Sequence, residues 1–188
     1  MNKRMTIRDI AGFCPEIAIW KMMADVSALL SRGDVKYNIS PDSVVIDGDM
    51  FVIEDRSTVL NDFVAPESIK GEKPDMKQMV WSLGSVAYFA ATGHIIFGGH
   101  GSSYQKENPS VPLPVLPKGL QALTTVLHKC ICYNPEERVS MLEVNELAQK
   151  GLAACQKQQR ATSDIIKKEI EKEVKSIGEK WPEKMVET

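Results

Sequence analysis

The chain has 188 residues, of which 43% are hydrophobic and 26% charged, and its formal net charge is −2. A chain of this length suits one domain with its own core, which would bury about 70% of the surface exposed by the unfolded chain. The slightly negative charge offers no general attraction to phosphate backbones or anionic lipid, so neither nucleic acid nor a membrane surface is an expected partner.

The cysteines and the first residues indicate a reducing compartment. Cys130 and Cys132 lack a second pair or a histidine cluster at zinc-binding spacing, so we interpret them, with Cys14 and Cys155, as free buried thiols. The first ten residues carry charges without a continuous apolar run. A secretory signal is therefore not expected, and a cytoplasmic location is predicted.

Two helices are predicted at the start of the chain. Thr6-Ile-Arg-Asp9 has the pattern of an N-terminal cap for a short helix that Gly12 ends. Pro15 suits the first turn of a longer helix that runs to about Ser31. Its apolar residues recur at helical spacing, and they are Ile19, Trp20, Met23, Val26, Leu29 and Leu30.

One β-hairpin is predicted next. Val44–Ile46 and Met50–Ile53 are rich in β-branched residues, and Asp47-Gly48-Asp49 between them is a turn signal. This pair forms the only sheet that the sequence predicts.

Met76–Thr92 is predicted to be the central core helix. From Met79 onward nearly every residue is apolar or small on all sides of a helical wheel, so the helix must be buried on all sides. The segment is too short, and too interrupted by polar residues, to span a bilayer.

A glycine-rich and then a proline-rich segment follow. Gly98–Gly101 lacks the Lys-Ser/Thr pair of a P-loop and does not follow a strand, so phosphate binding is not expected there. The proline spacings could form a polyproline ligand, but an ordered surface loop is the preferred interpretation; these prolines are Pro109, Pro112, Pro114 and Pro117. The histidines are scattered, so no metal site or general base is predicted; they are His94, His100 and His128.

Two further helices are predicted to complete the core. The first carries apolar residues at helical spacing, namely Leu120, Leu123, Leu127, Cys130 and Ile131. Ser140-Met-Leu-Glu143 is a capping box for the second, which carries Leu147, Ala148 and Leu152.

Five segments, in this order, resemble the C-terminal lobe of a protein kinase. Residues 36–47 align without gaps with the catalytic loop H-R-D-L-K-P-E-N-I-L-L-D. The other segments are Asp55-Arg56-Ser57 for D-F-G, Ala65-Pro66-Glu67 for A-P-E, Trp81-Ser82-Leu83-Gly84 in the central helix, and Asn134–Arg138 for the acidic-Pro-x-x-Arg turn. The resemblance implies a mainly α protein of the α+β kinase-like class, a helical C-lobe with one small hairpin.

The resemblance also implies that phosphoryl transfer is lost. That reaction requires an Asp to orient the hydroxyl, a Lys at the phosphates, and an Asn and an Asp to hold Mg²⁺. The matching residues are Asn38, Ser40, Ser43 and Asp55, so only the last is retained. The residues before the first long helix are too few for an N-lobe, so no N-lobe is expected. The chain is thus predicted to be no enzyme, with no cofactor or metal.

The structural contacts of the kinase C-lobe are predicted to be retained although the catalytic residues are not. In kinases the A-P-E glutamate pairs with the arginine before the last helix, so Glu67 and Arg138 are expected to touch, and Trp81 marks the centre of the buried helix. An isolated, non-catalytic C-lobe resembles the KIND module (the kinase non-catalytic C-lobe domain), which binds proteins. The expected function is a scaffold that binds another protein or peptide. The alternative is a pseudokinase remnant that still binds a nucleotide or other small ligand.

The last residues are predicted to form a separate amphipathic helix, so the expected domains are 1–157 and a tail over 158–188. Its apolar stripe is spaced by four, four, three and four residues, and comprises Ile166, Ile170, Val174, Ile177 and Trp181. Two interpretations remain open. The stripe packs onto the lobe, or it binds a partner groove or a second copy of the chain.

Overall fold

The computed structural model describes residues 4–33, 36–54, 60–68 and 70–180, with side chains up to residue 176. Over these ranges the chain is mainly helical, with one two-stranded antiparallel sheet, as predicted. Its elements are α1 (Ile7–Ile10), α2 (Glu16–Leu30), β1 (Val44–Asp47), β2 (Met50–Ile53), α3 (Met76–Thr92), α4 (Gly101–Glu107), α5 (Gln121–Ile131) and α6 (Met141–Lys180), with 3₁₀ turns at Asn61–Phe63 and Pro135–Glu137. Internal contacts divide the chain into two units, Met1–Leu152 and Ala153–Thr188.

Helix α3 is the buried axis of the first unit, as predicted. The Asp75 side chain accepts a hydrogen bond from the Gln78 backbone N–H, and the Gln78 side chain completes the capping box. Gly93, in the left-handed conformation, ends the helix. Eleven of its residues are buried, among them both polar Ser82 and Ser85.

Helices α3 and α5 cross closely at Gly84. A Cβ atom built there would lie 2.7 Å from Cys130 Cβ and 2.9 Å from Ile131 Cγ2. Only a glycine lets the two backbones approach to this distance. The buried Trp81 side chain, one turn away, donates from Nε1 to Gln105 Oε1 (2.9 Å), and Gln105 Nε2 donates to the Ile131 carbonyl (2.8 Å). This glutamine therefore joins α3, α4 and the end of α5.

The predicted hairpin forms, and it is fixed to its surroundings. Val45 pairs with Val52, and the strands join through Gly48 at φ +60°. Thr6 bridges to Val45, and Asp25 of α2 accepts from the Phe51 backbone N–H (3.0 Å). The small sheet thus lies against both N-terminal helices.

The two N-terminal helices agree with the sequence analysis. Thr6 and Asp9 form the expected capping box on α1, and Pro15 is the N-cap of α2. The predicted apolar face of α2 is buried except at Leu29, which is half-buried.

Helix α6 differs from the prediction. Ser140 and Glu143 form the expected capping box, with the Ser140 N–H donating to Glu143 Oε2 (2.8 Å). The Ser140 backbone and hydroxyl donors hold the pKa of this glutamate below its usual value. However, the predicted core helix and the predicted tail helix form one continuous helix of 40 residues. No proline or cluster of turn residues interrupts it. The division between the two units falls after Leu152, five residues before the expected boundary at residue 157.

Gly151 allows the first part of α6 to pack on α2. A Cβ atom there would lie 2.4 Å from two ring carbons of Trp20, which means that the indole covers the glycine. Asn145 Nδ2 adds a hydrogen bond to the Ala24 carbonyl (2.8 Å). Met141, Val144 and Ala148 are the buried residues of this part of the helix.

Over the described ranges, no helix combines enough length with enough apolar character to cross a bilayer.

Candidate functional site

The turn that precedes β1 holds three of the residues singled out by the sequence, Asn38, Ser40 and Ser43. The Ser40 N–H donates to Ser43 Oγ (2.8 Å), and the Ser43 N–H donates to Ser40 Oγ (3.2 Å). The Ser43 hydroxyl lies 3.1 Å from the carbonyls of both Asn38 and Ser40, so it can donate to one of them. Both serines are buried, and their hydroxyl groups serve the local backbone.

The same turn is fixed from outside by Arg8 of α1. Arg8 Nε and Nη2 donate to the two oxygens of Asp42 at 2.7 and 2.8 Å, and its N–H donates to the Pro41 carbonyl. The Asp42 hydrogen bond raises the pKa of Arg8. The guanidinium also lies over the Phe89 ring at 5.5 Å, so the turn, α1 and α3 are held together.

A cavity of about 560 Å³ opens beside this turn. Asn38 and Ile39 form one wall, and the 3₁₀ turn contributes Asn61. The remaining lining comes from residues around the start of α3: Val64, Ser68, Lys70, Gly71, Glu72, Lys73, Pro74, Gln78 and Ser82. Its volume lies within the range of small-molecule and peptide side-chain sites. Among the predicted site residues, only Asn38 lines it, and Asp55 lies outside the described residues.

The cavity lining combines amides with charges of both signs. Asn38 and Asn61 carry side-chain amides, which both donate and accept hydrogen bonds. Lys70 and Lys73 provide positive charge, and Glu72 provides the one carboxylate among the lining residues. Such a surface can bind polar main chain or an anionic group.

Glu67 and Arg138 form the contact expected from the sequence. Arg138 Nη1 and Nη2 donate to the two oxygens of Glu67 at 2.5 and 2.8 Å. The arginine side chain is fully buried, whereas that of Glu67 is 29% exposed. The segments are 71 residues apart in sequence, so this bidentate pair fixes their relative position.

Every N–H of the Arg138 guanidinium has an acceptor. Besides the two bonds to Glu67, the guanidinium donates to three backbone carbonyls. Nε donates to that of Cys132 (2.8 Å), Nη2 to that of Tyr133 (2.8 Å) and Nη1 to that of Lys77 (3.3 Å). Lys77 Nζ in turn donates to the Arg138 carbonyl. Burying an arginine requires this degree of saturation, because each unpaired donor would cost about 1–3 kcal/mol.

None of the four cysteines forms a disulfide; Cys14 and Cys130 are buried as expected, whereas Cys132 and Cys155 are partly exposed. Burial raises the pKa of Cys14 to about 11 and that of Cys130 to about 12, so both stay protonated at neutral pH. Over the described ranges, no group of three or more His, Cys, Asp or Glu residues is placed to hold a metal ion.

The glycine-rich segment borders a second cavity of about 590 Å³. Tyr88, Phe89 and Gly93 from the end of α3 form one side, with His94 and Ile95 next to them, and Gly98 and Gly99 complete the lining. Sequence analysis did not anticipate either cavity, because most of the residues that line each one belong to no recognisable motif. Helix α4, which follows Gly99, was also missed.

Three of the five residues of the predicted tail stripe have described side chains, and all are half or more exposed. Ile166 is 50% exposed, Ile170 55% and Val174 62%. Ile177 lies within α6, and Trp181 lies outside the described residues. Whether the stripe packs onto the lobe stays a prediction.

No model of a known protein family matches the chain.

Proposed function

We propose that the chain is a non-catalytic protein-interaction module built on the scaffold of a kinase C-lobe. The observation that carries the proposal is the Glu67–Arg138 pair, because the kinase alignment requires it and local sequence signals do not. The buried α3 and the hairpin before it support the same alignment.

The chemistry at the reaction positions favours binding over catalysis. An amide at Asn38 cannot accept the proton of an attacking hydroxyl group. The hydroxyls of Ser40 and Ser43 are bonded to the backbone of their own turn, which supports a structural role for this segment. We infer that the turn shapes the wall of the cavity.

The cavity beside Asn38 is the proposed contact with a partner protein. Side-chain amides match the alternating donors and acceptors of a peptide main chain, and Ile39, Val64 and Pro74 provide apolar surface between them. The partner's charge is not specified by the lining, since it contains both lysines and a glutamate.

Nucleotide should leave the stability of the protein unchanged. In thermal unfolding with ATP and Mg²⁺ in large excess, we expect the Tm of the wild-type chain to stay the same. A ligand at 100 times its Kd would add about 2.7 kcal/mol, which such an assay detects easily. A clear rise in Tm that requires both ATP and Mg²⁺ would favour the nucleotide-binding alternative.

Filling the cavity should weaken partner binding. We expect Ser68→Trp, which places an indole in the cavity, to reduce capture of specific host proteins at least tenfold in quantitative affinity purification. Ser110→Trp adds the same side chain at an exposed position outside the cavity and should retain them. If both variants captured the same host proteins in equal amounts, and the purified partner bound both equally, the interaction would lie outside the cavity.

A further inference from the structure

The second part of α6 exposes an ordered set of aliphatic side chains. Every described side chain from Gln156 to Ser176 is exposed. Among them, Ile166, Ile170 and Val174 follow one another at intervals of four residues, so they share one face of the helix. In the sequence, apolar residues follow at intervals of three and four, at Ile177 and Trp181. Exposed aliphatic residues aligned in this way are a common mark of a helix that pairs with another helix.

The spacing fits a short coiled-coil seam. If Ile170 and Ile177 are given position d of a heptad, Val174 falls at position a and Ile166 at the flanking position g. A seam of this kind needs a second helix, because a single helix in water leaves both positions hydrated.

The charges of the segment indicate what that second helix is. Between Gln158 and Lys180 the sequence has six basic and five acidic residues, with both signs interspersed. A strongly acidic or basic partner, or an anionic lipid surface, would require a polar face of one sign. A copy of the same helix brings both signs and therefore meets neither net repulsion nor a charge mismatch.

We propose that the chain self-associates through the Ile166–Ile170–Val174 stripe of α6, which packs against the same stripe of a second copy. The stripe covers about two to three turns, so association should be weak and dependent on concentration. This inference does not depend on the kinase resemblance, and it would stand if the proposed function failed.

One isoleucine of the same helix offers a matched control. Ile165 is 57% exposed, close to the 55% of Ile170, but it lies about 140° around the helix from the centre of the stripe. The substitutions Ile165→Asp and Ile170→Asp thus introduce the same charge into equally exposed positions, one off the stripe and one on it.

The test is the molar mass of the full-length chain, measured by analytical ultracentrifugation from low micromolar to several hundred micromolar protein. We expect the mass of the wild type and of Ile165→Asp to rise together toward a multiple of the monomer. Ile170→Asp should raise the dissociation constant about a hundredfold or more, because a carboxylate from each copy would face the seam. A wild-type chain that stays monomeric throughout, or equal losses in the two variants, would overturn the proposal.

Discussion

Replacing Arg138 with Ala is expected to lower the free energy of unfolding by about 3–5 kcal/mol, the cost of removing one partner from a buried ion pair. The substitution removes five hydrogen bonds at once and leaves Glu67 next to carbonyls that have lost their donors. Tm should fall by roughly 10 °C or more. Urea denaturation followed by circular dichroism measures the change directly.

Arg8→Ala is the control for this experiment. Arg8 also makes a bidentate pair, with Asp42, but the side chains are 44% and 34% exposed. Water can solvate the remaining carboxylate, so we expect a loss of about 0–1 kcal/mol. If both variants lost the same amount of stability, burial would not be the reason for the strength of the Glu67–Arg138 pair.

Replacing Gly101 with Ala should cost about 2–4 kcal/mol. Gly101 has φ +57°, and a Cβ atom there would lie 2.6 Å from the carbonyl oxygen of Asp62 and 2.7 Å from its Cα. The opposing atoms belong to the backbone, so no side-chain rotation relieves the overlap. Left-handed strain of about 1 kcal/mol adds to an overpacking cost of about 1–3 kcal/mol. The displaced 3₁₀ turn carries Asn61, so the wall of the first cavity should shift as well.

Gly98→Ala separates the two contributions. Gly98 has φ +65°, but no atom of a described residue beyond its chain neighbours lies within 4 Å of a Cβ atom built there. Only the left-handed strain of about 1 kcal/mol therefore applies. The difference between the two variants in chemical denaturation therefore isolates the contact with Asp62. A difference near zero would mean that α4 and the 3₁₀ turn can move apart without loss.

Sequence signals predicted the elements whose causes are local. The capping boxes at Thr6 and Ser140, the hairpin at Gly48 and the buried α3 each depend on residues a few positions apart. Helix α4 could not be found in this way, because it is short and is held by distant partners, Trp81 through Gln105 and Asp62 against Gly101. Local propensity is weak over so few residues.

The candidate site was predictable only in part. Pairing of Glu67 with Arg138 followed from aligned motifs, although the carbonyl acceptors around Arg138 did not. Asn38 was singled out for its place in a motif, whereas Asn61 and Lys73 line the same cavity without any sequence signal. Which side chains share a cavity is decided by the tertiary fold, and composition or periodicity cannot report it.

The reciprocal hydrogen bonds of Ser40 and Ser43 constrain how this turn can evolve. Loss of the Ser43 hydroxyl removes the acceptor of a buried amide at Ser40, so a neighbouring change that is harmless alone becomes harmful in that background. Such epistasis favours substitutions that arrive as pairs. A lineage that carries the two serines would therefore reach other residue pairs at these positions only through less stable single-step intermediates.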